Sequence, residues 1–166
     1  FTKDVSTFVG LLDRTGSVVS GSCALNLLQA ERNAVIPQDM DVYTTEIFQT
    51  EVLDHLKNQE GYQCVQEVVK KSDYDSSAIC KIHKLVRGER KVDIIVTDWK
   101  CALAPILQFH STAVMNYITA RSIVCLYPRW TTANKSFIHP RLYLEHITHL
   151  RTVHVLMKYK RRGFLL

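Results

Sequence analysis

Periodic apolar positions run through most of this 166-residue chain and predict both helices and strands. Apolar residues at helical spacing indicate helices, and short runs rich in β-branched residues indicate strands. The predicted helices are Lys3–Leu12, Ser22–Ala30, Glu46–Asn58, Cys101–Phe109, Thr112–Thr119 and Arg141–Tyr159. The predicted strands are Val18–Ser20, Met40–Thr44, Tyr62–Val69, Ile79–Val86, Lys91–Thr97 and, at an edge, Ser122–Tyr127.

This order of elements predicts an α+β fold, with a mixed β-sheet flanked by helices and a helical C-terminal part. The length suits one domain over residues 1–166, with the sheet core at about 15–100 and a mainly helical part at about 101–166. The fourth and fifth strands are expected to pair as a hairpin across an Arg-Gly-Glu-Arg turn, after a polar loop at Lys70–Ser77. The longest predicted helix carries an apolar stripe of Ile147, Leu150, Val153 and Met157.

Three aspartates are candidates for a metal site. Asp39 and Asp41 lie one residue apart at the start of a predicted strand, so their side chains share a face, with Cα atoms about 6.5–7 Å apart. Asp93 lies inside the most strongly β-branched run of the chain, where a carboxylate is costly unless it is paired or metal-bound. Because Mg²⁺ (or Mn²⁺) is bound by carboxylates together with phosphate oxygens and water, these residues predict a site for either ion.

A Gly-Ser turn precedes the second predicted helix. Gly21 has no Cβ and lets the backbone approach a ligand, and Ser22 adds a hydroxyl suited to a phosphate oxygen. The helix then offers unpaired N–H groups and a positive dipole end to an anion. A Gly-Ser turn and an Asp-x-Asp segment are each common as plain turns, so the prediction depends on their combination with Asp93.

At these residues the chain resembles the polymerase-β-like nucleotidyltransferase superfamily. The pattern of that superfamily is Gly followed by Gly or Ser, a spacer, Asp-hydrophobic-Asp on the next strand, and a third acid on a later strand. The corresponding residues here are Gly21-Ser22, Asp39-Met40-Asp41 and Asp93. The spacer of sixteen residues between Ser22 and Asp39 is longer than usual, and the excess is expected in the loop Glu31–Gln38.

A narrower resemblance covers residues 1–164. The segments SGSCALNLL, PQDMDVY, QFHSTAVMNYIT, LYPRWTT and KYKRRGF are similar to those of a group of uncharacterised fungal nucleotidyltransferase-like proteins. The resemblance implies transfer of a nucleoside monophosphate from an NTP to an acceptor hydroxyl, with RNA or a protein among the acceptors. Asp39, Asp41 and Asp93 would be catalytic and metal-binding, and Gly21 and Ser22 would bind the nucleotide. The alternative is an inactive binding or interaction module that keeps the fold, with Tyr43 as the nearest residue for base stacking.

Basic residues and histidines add weaker hypotheses. The formal charge is +5, with Arg87, Arg90 and Lys91 around the hairpin turn and four more cations between Lys158 and Arg162. A positive field favours phosphate ligands, whereas a basic tail also suits the end of a helix, and the aromatic residues do not alternate with basic ones in a stacking pattern. His146 and His149 share a helix face and could bind a transition metal. His110 could orient a backbone segment or act as a general base.

The remaining observations exclude other classes of protein. No apolar run approaches the length of a membrane span, no signal-peptide order opens the chain, and no P-loop, G-x-G-x-x-G or G-x-S-x-G motif occurs. The five cysteines are odd in number, widely spaced and mostly among apolar neighbours. They predict reduced core thiols in an intracellular protein, cytoplasmic or nuclear.

Overall fold

The computed structural model describes residues 1–29, 36–69, 77–144 and 150–166. The protein is α+β, with a mixed seven-stranded sheet in its described part and helices on the sheet faces. The described strands are β1 (Val18–Ser20), β2 (Asp39–Thr45), β3 (Gln63–Val69), β4 (Lys81–Arg87), β5 (Arg90–Thr97), β6 (Asn116–Ile118) and β7 (Ile123–Cys125). Their order in the sheet is β3-β4-β5-β2-β1-β6-β7, and the prediction of a mixed sheet is confirmed.

The α-helices in the described ranges are α1 (Val5–Thr15), α2 (Gly21–Leu28), α3 (Gln49–Asp54), α4 (Ala104–Leu107), α5 (Pro128–Thr132), α6 (Arg141–Leu144) and α7 (Leu150–Arg161). The helix α3 is extended by a 3-10 turn at Glu46–Phe48 and a π-helical turn at His55–Gln59. None of the helices in these ranges is both long and apolar enough to cross a membrane.

The central strands are joined by two kinds of pairing. β2 and β5 run parallel along their whole length, and β1 pairs antiparallel with β2. β4 and β5 form the predicted hairpin around Gly88-Glu89, where Gly88 has a φ of 58° that favours glycine. The strand predicted at Ser122–Tyr127 is present as β7, and it forms an edge of the sheet.

Alternate residues of β2 and β5 enter two different hydrophobic clusters. Met40 and Val42 pack with Val92, Ile94 and Val96 against apolar side chains of α1 and α3. On the opposite face, Tyr43 and Ile95 pack with Val18, Ala102 and Ile106. A third cluster joins α2 to α7 through Leu25 and Tyr159. The sheet therefore has a core on each face, and the acid-bearing positions belong to the second face.

Two predicted helices are wrong in type or length. The segment Thr112–Thr119 is a 3-10 turn at Thr112–Val114 followed by β6, because its run of consecutive apolar and β-branched residues pairs with β1 and β7. The helix predicted at Cys101–Phe109 is reduced to α4. β6 and β7 thus extend the sheet into the part that was expected to be mainly helical.

The C-terminal helix also differs from its prediction. Within the range predicted as one helix, the structure describes α6 and α7, and Ile147 with both metal-site histidines, His146 and His149, lies outside the described residues. The other members of the predicted stripe, Leu150, Val153 and Met157, are exposed. Tyr159 is buried instead, because α7 packs on α2 through the opposite side of the helix.

All five cysteines are free thiols, in agreement with the prediction of no disulfide frame. They are not fully buried core residues, however. Cys64 and Cys101 are exposed, and Cys23, Cys80 and Cys125 are partly buried. The predicted loops at Glu31–Gln38 and Lys70–Ser77 lie largely outside the described residues.

Candidate active site

The three aspartates lie on one face of the two central strands. In the parallel pairing of β2 and β5, Asp41 stands directly opposite Asp93, and Asp39 stands opposite Lys91. Neighbouring strands are about 4.8 Å apart, and side chains two residues apart share a face. The face that carries the three carboxylates is therefore the one that also carries Tyr43 and Ile95.

The Gly-Ser turn lies against one of these carboxylates. β1 brings Ser20 opposite Asp41, and Gly21 begins α2 with a φ of 65°. A Cβ at position 21 would lie 2.2 Å from Oδ2 of Asp41. Glycine is thus required twice here, once by the left-handed backbone and once by the carboxylate beside it. The two halves of the predicted motif are in contact in the folded protein.

Ser22 is buried in the first turn of α2. Its Oγ has no hydrogen-bond partner among the described residues. A buried hydroxyl without a partner is destabilising, and such groups mark places where a ligand or water completes the bonding. No acidic residue occupies the first turn of α2, so its N-terminal N–H groups face no built-in anion from that turn.

The electrostatics of the site favour a bound cation. Burial, followed by repulsion from Asp39 and Asp93, raises the pKa of Asp41 to about 7, and Lys158 opposes this shift. Burial also raises the pKa of Asp93, with Lys84 opposing and Asp39 adding to the shift. Carboxylates held together at this cost are stabilised by a positive ion.

The donor set fits Mg²⁺ in its chemistry. Mg²⁺ binds through one or two carboxylates together with phosphate oxygens and water, which Asp39, Asp41 and a nucleotide would supply. Among the described residues, however, no three His, Cys, Asp or Glu side chains converge into a group that could hold a metal by themselves. The site can therefore hold an ion only with help from a ligand or from a rotation of these side chains.

The C-terminal helix adds residues that the sequence did not single out for the site. Tyr159 is buried, and its ring lies 5.7 Å from that of His110 and 6.2 Å from that of Phe164, measured between ring centroids. Burial raises the pKa of Tyr159 to about 12, with Arg162 opposing and Asp41 and Asp39 adding to the shift. The positive charge of Lys158 lowers the pKa values of both Asp41 and His110, so this cation of the basic tail acts on the site. The sequence shows four cations between Lys158 and Arg162 but does not indicate which of them lies near the site.

Two further sequence hypotheses change in the light of the geometry. Tyr43 is buried, with its ring 5.9 Å from that of Phe109 in an edge-on contact, so it offers no open face for base stacking. Burial, reinforced by Lys158, lowers the pKa of His110 to about 4, which makes it a weak base at neutral pH. The backbone carbonyl of His110 accepts a hydrogen bond from the N–H of His139, at 2.8 Å, whereas Nδ1 of its ring is buried without a partner among the described residues, so a role in orienting a backbone segment stays a prediction.

A cavity of about 740 Å³ opens at the amino ends of β2 and β5. Asp39 and Glu89 line this cavity together with Arg90 and Lys91. Two of the basic residues that flank the hairpin turn are therefore beside one of the acids, where they can attract a phosphorylated ligand.

No protein-family model, no curated protein and no solved structure matches the chain. The fold and the placement of the side chains are thus the basis for any functional assignment.

Proposed function

We propose that this protein is a metal-dependent nucleotidyltransferase that transfers a nucleoside monophosphate from an NTP to an acceptor hydroxyl. The observation that carries the proposal is the pairing of Asp41 with Asp93 across two parallel strands, with Gly21 directly beside the Asp41 carboxylate. This arrangement supports a role for both parts of the motif in one ligand site. The resemblance to the polymerase-β-like superfamily predicts the same five residues.

Each residue has a distinct role in the proposal. The unpaired hydroxyl of Ser22 and the N–H groups at the start of α2 bind phosphate oxygens. Asp39 and Asp41 would hold Mg²⁺ or Mn²⁺, and the ion would supply stabilisation of the charge on the attacking and leaving oxygens. Asp93 completes the site and positions the acceptor hydroxyl or accepts its proton. The acceptor oxygen bonds to the α-phosphorus as the bond from that phosphorus to pyrophosphate breaks.

Five free thiols support an intracellular compartment.

A second function, a nucleotidyltransferase-like binding module without chemistry, is favoured by one observation. In the described residues the acids do not converge into a metal-binding group. Such a module would bind a nucleotide or a partner through the same surface and would transfer nothing.

Thermal unfolding with each of the four NTPs, with and without Mg²⁺ or Mn²⁺, tests the proposal. A nucleotide at a hundredfold over its Kd should add about 2.7 kcal/mol of stability, a rise of several degrees in Tm for a domain of this size. The rise should need the metal and should be lost in Asp39→Ala/Asp41→Ala. It should persist in Asp54→Ala, which removes an exposed acid of α3.

A labelled-NTP transfer assay separates the two functions. Transfer that is abolished by Asp39→Ala supports the enzyme, and transfer that survives this change contradicts the proposed site. Metal-dependent nucleotide binding without transfer to any acceptor favours the binding module. Absence of any nucleotide-dependent rise in Tm contradicts the enzyme and leaves only a module that binds a partner.

A further inference from the structure

The charge of this chain is strongly divided between its two parts. Residues 99–166 carry ten Lys and Arg but a single acidic residue, Glu145, whereas residues 1–98 carry eleven Lys and Arg and fifteen acidic residues. The net charges of +9 and −4 together give the +5 of the whole chain. Such an asymmetry is typical of proteins in which one part meets a polyanion.

Within the basic part, two aromatic side chains that are seven residues apart meet on the surface. The ring centroids of Trp130 and Phe137 are 4.2 Å apart with an interplanar angle of 51°. The side chains are 39% and 52% exposed. Two exposed rings in contact leave outer faces open for stacking, which the spacing in the sequence did not reveal.

The backbone beneath this aromatic pair is firmly held. The carbonyl of Trp130 accepts a hydrogen bond from the N–H of Lys135 at 2.9 Å. Phe137 is held on both sides by Thr112: its carbonyl accepts from the N–H of Thr112 at 2.9 Å, and its own N–H donates to Oγ1 of Thr112 at 3.0 Å. The pair is therefore presented by an ordered turn, and little backbone entropy would be lost when a ligand stacks on it.

The residues that neighbour the pair in the sequence are cationic. Arg129 and Lys135, one beside Trp130 and one between the two rings in sequence, are exposed. The whole stretch of residues 126–144 contains no Asp or Glu. Exposed aromatic faces next to Lys and Arg, without acids, are the features that bind single-stranded nucleic acid, whose bases stack and whose phosphates pair with cations. A duplex would keep its bases stacked internally and would leave the rings unused.

The aromatic pair is connected to the candidate active site by α2. Nε2 of Gln29, just after α2, donates to Oδ1 of Asn134 at 2.7 Å. Gly21 lies at the other end of the same eight-residue helix, which is about 12 Å long, so the turn at Asn134 and the Gly-Ser turn stand at opposite ends of α2. The N–H of Leu165 donates to the carbonyl of Asn134, at 2.8 Å, so the segment that follows α7 also reaches this turn.

We propose that Trp130, Phe137, Arg129 and Lys135 form a binding surface for single-stranded nucleic acid, and that the bound strand is the acceptor. Bases stack on the two rings, and the two cations contact the phosphates. The terminal hydroxyl of the strand reaches Asp93. The role as acceptor rests on the proposed function, whereas binding of the strand does not.

Fluorescence anisotropy with labelled twelve-residue oligo(U) and oligo(dT), without NTP or metal, tests the binding surface. Trp130→Leu and Phe137→Leu keep an apolar side chain but remove the aromatic face, and each should weaken binding about tenfold. Phe137→Tyr, which keeps an aromatic ring, should bind as tightly as the unaltered protein. Arg129→Ala/Lys135→Ala should weaken binding and lower the slope of log K against log salt by about 0.7 for each lost phosphate contact. If oligo(U) binds more tightly than oligo(dT), the natural ligand is RNA. If the two bind equally, the surface accepts both RNA and DNA.

Matched variants elsewhere on the surface provide the controls. Trp99→Leu removes an exposed tryptophan beyond β5, and Lys57→Ala removes an exposed lysine of the π-helical turn. Neither should change the affinity. The proposal is overturned if no oligonucleotide binds, or if the aromatic variants, shown to be folded by an unchanged cooperative melting transition, bind as well as the unaltered protein.

The same measurements distinguish this inference from the proposed function. Asp41→Asn should retain oligonucleotide binding, because the surface does not use the acids. If oligonucleotide binding needs the aromatic pair but no NTP extends the oligonucleotide, the binding surface is supported and the role of the oligonucleotide as acceptor is contradicted. If the protein binds a nucleotide with metal but binds no oligonucleotide, the proposed binding surface is wrong. The proposed transferase would then use another kind of acceptor.

Discussion

The two faces of β2 and β5 are made from alternate residues of the same two segments, and they differ sharply. One face carries Met40, Val42, Val92, Ile94 and Val96, all buried against α1 and α3. The other carries three aspartates at its amino end and apolar side chains only farther along. Because side chains alternate along a strand, stability and chemistry can occupy adjacent positions without sharing contacts. The comparison predicts that neighbouring substitutions will have opposite effects.

The largest effect on stability is expected on the apolar face. Ile94 is fully buried next to Asp93 in the chain. Ile94→Ala should lower the free energy of unfolding by about 3–4 kcal/mol through lost burial and the cavity that remains. Urea unfolding measures this loss. Val65→Ala on the exposed strand β3 is the control and should change the value by less than about 0.5 kcal/mol. Equal effects of the two changes would contradict the assignment of the core face.

On the acidic face, removing a charge should stabilise the protein that lacks metal and nucleotide. The pKa of Asp41 is raised from 3.8 to about 7 in the folded state. The folded protein therefore binds a proton more tightly than the unfolded chain, and the stability that is present below about pH 4 is lost as the pH rises towards 7. Asp41→Asn should raise the free energy of unfolding at pH 8 by up to the roughly 4 kcal/mol that a shift of this size represents, less the cost of burying the new amide, and by little at pH 4.

Urea unfolding at several pH values measures this difference. Asp54→Asn, in an exposed position of α3, is the control for loss of an acid as such. A variant at position 41 that is less stable than the unaltered protein at pH 8 would mean that the carboxylate is stabilised by contacts that outweigh its burial.

A pair of glycines tests the contact between the two parts of the motif. Gly21 and Gly88 have φ values of 65° and 58°, but a Cβ meets Asp41 only at position 21, and at position 88 it meets nothing within 4 Å. Gly21→Ala and Gly88→Ala should each cost about 1–2 kcal/mol of stability from backbone strain. Only Gly21→Ala should abolish the metal-dependent rise in Tm with nucleotide, because the carboxylate must rotate away. Loss of that rise in both variants would show strain alone to be responsible.

The smallest effect on stability is expected at Ser22. Its buried hydroxyl lacks a partner in the described structure, so Ser22→Ala should raise the free energy of unfolding, by no more than about 1 kcal/mol. The same change should weaken nucleotide binding about tenfold, as loss of a hydrogen bond to a charged group does. Ser17→Ala is a matched control, since Oγ of Ser17 donates to Oγ1 of Thr44 at 2.9 Å. It should cost about 1 kcal/mol and leave nucleotide binding unchanged.

Much of the central sheet could be predicted because its signals are local. The β-branched run of β5, the turn at Gly88 and the spacing of Asp39 and Asp41 are properties of short segments. The register that sets Asp41 opposite Asp93 is not, because it depends on how two distant segments pack in the sheet. The same limit explains why the local pattern of Thr112–Thr119 predicts a helix: the strand conformation of β6 within it is fixed by pairing with β1 and β7.

The C-terminal part was the hardest to predict for a related reason. The stripe of Leu150, Val153 and Met157 has helical spacing, but spacing does not say which side of a helix meets the core. Tyr159 takes that place in a cluster that includes Leu25, which lies more than a hundred positions earlier in the chain. Likewise, Trp130 and Phe137 become neighbours in a turn whose backbone bonds to Thr112, a residue of another segment.

The short strand β1 determines which part of the sheet unfolds locally most easily. Within the described sheet, β1 joins β6 through the pair Val19 and Ile118, whereas β2 and β5 are paired along their full length. Amide protons of β6 and β7 should therefore exchange with deuterated water well before those of β2 and β5. Local opening of this kind would release a nucleic acid bound to Trp130 and Phe137 while β2 and β5 stay folded. The lifetime of that complex would then depend on the rate of local unfolding at one edge of the sheet.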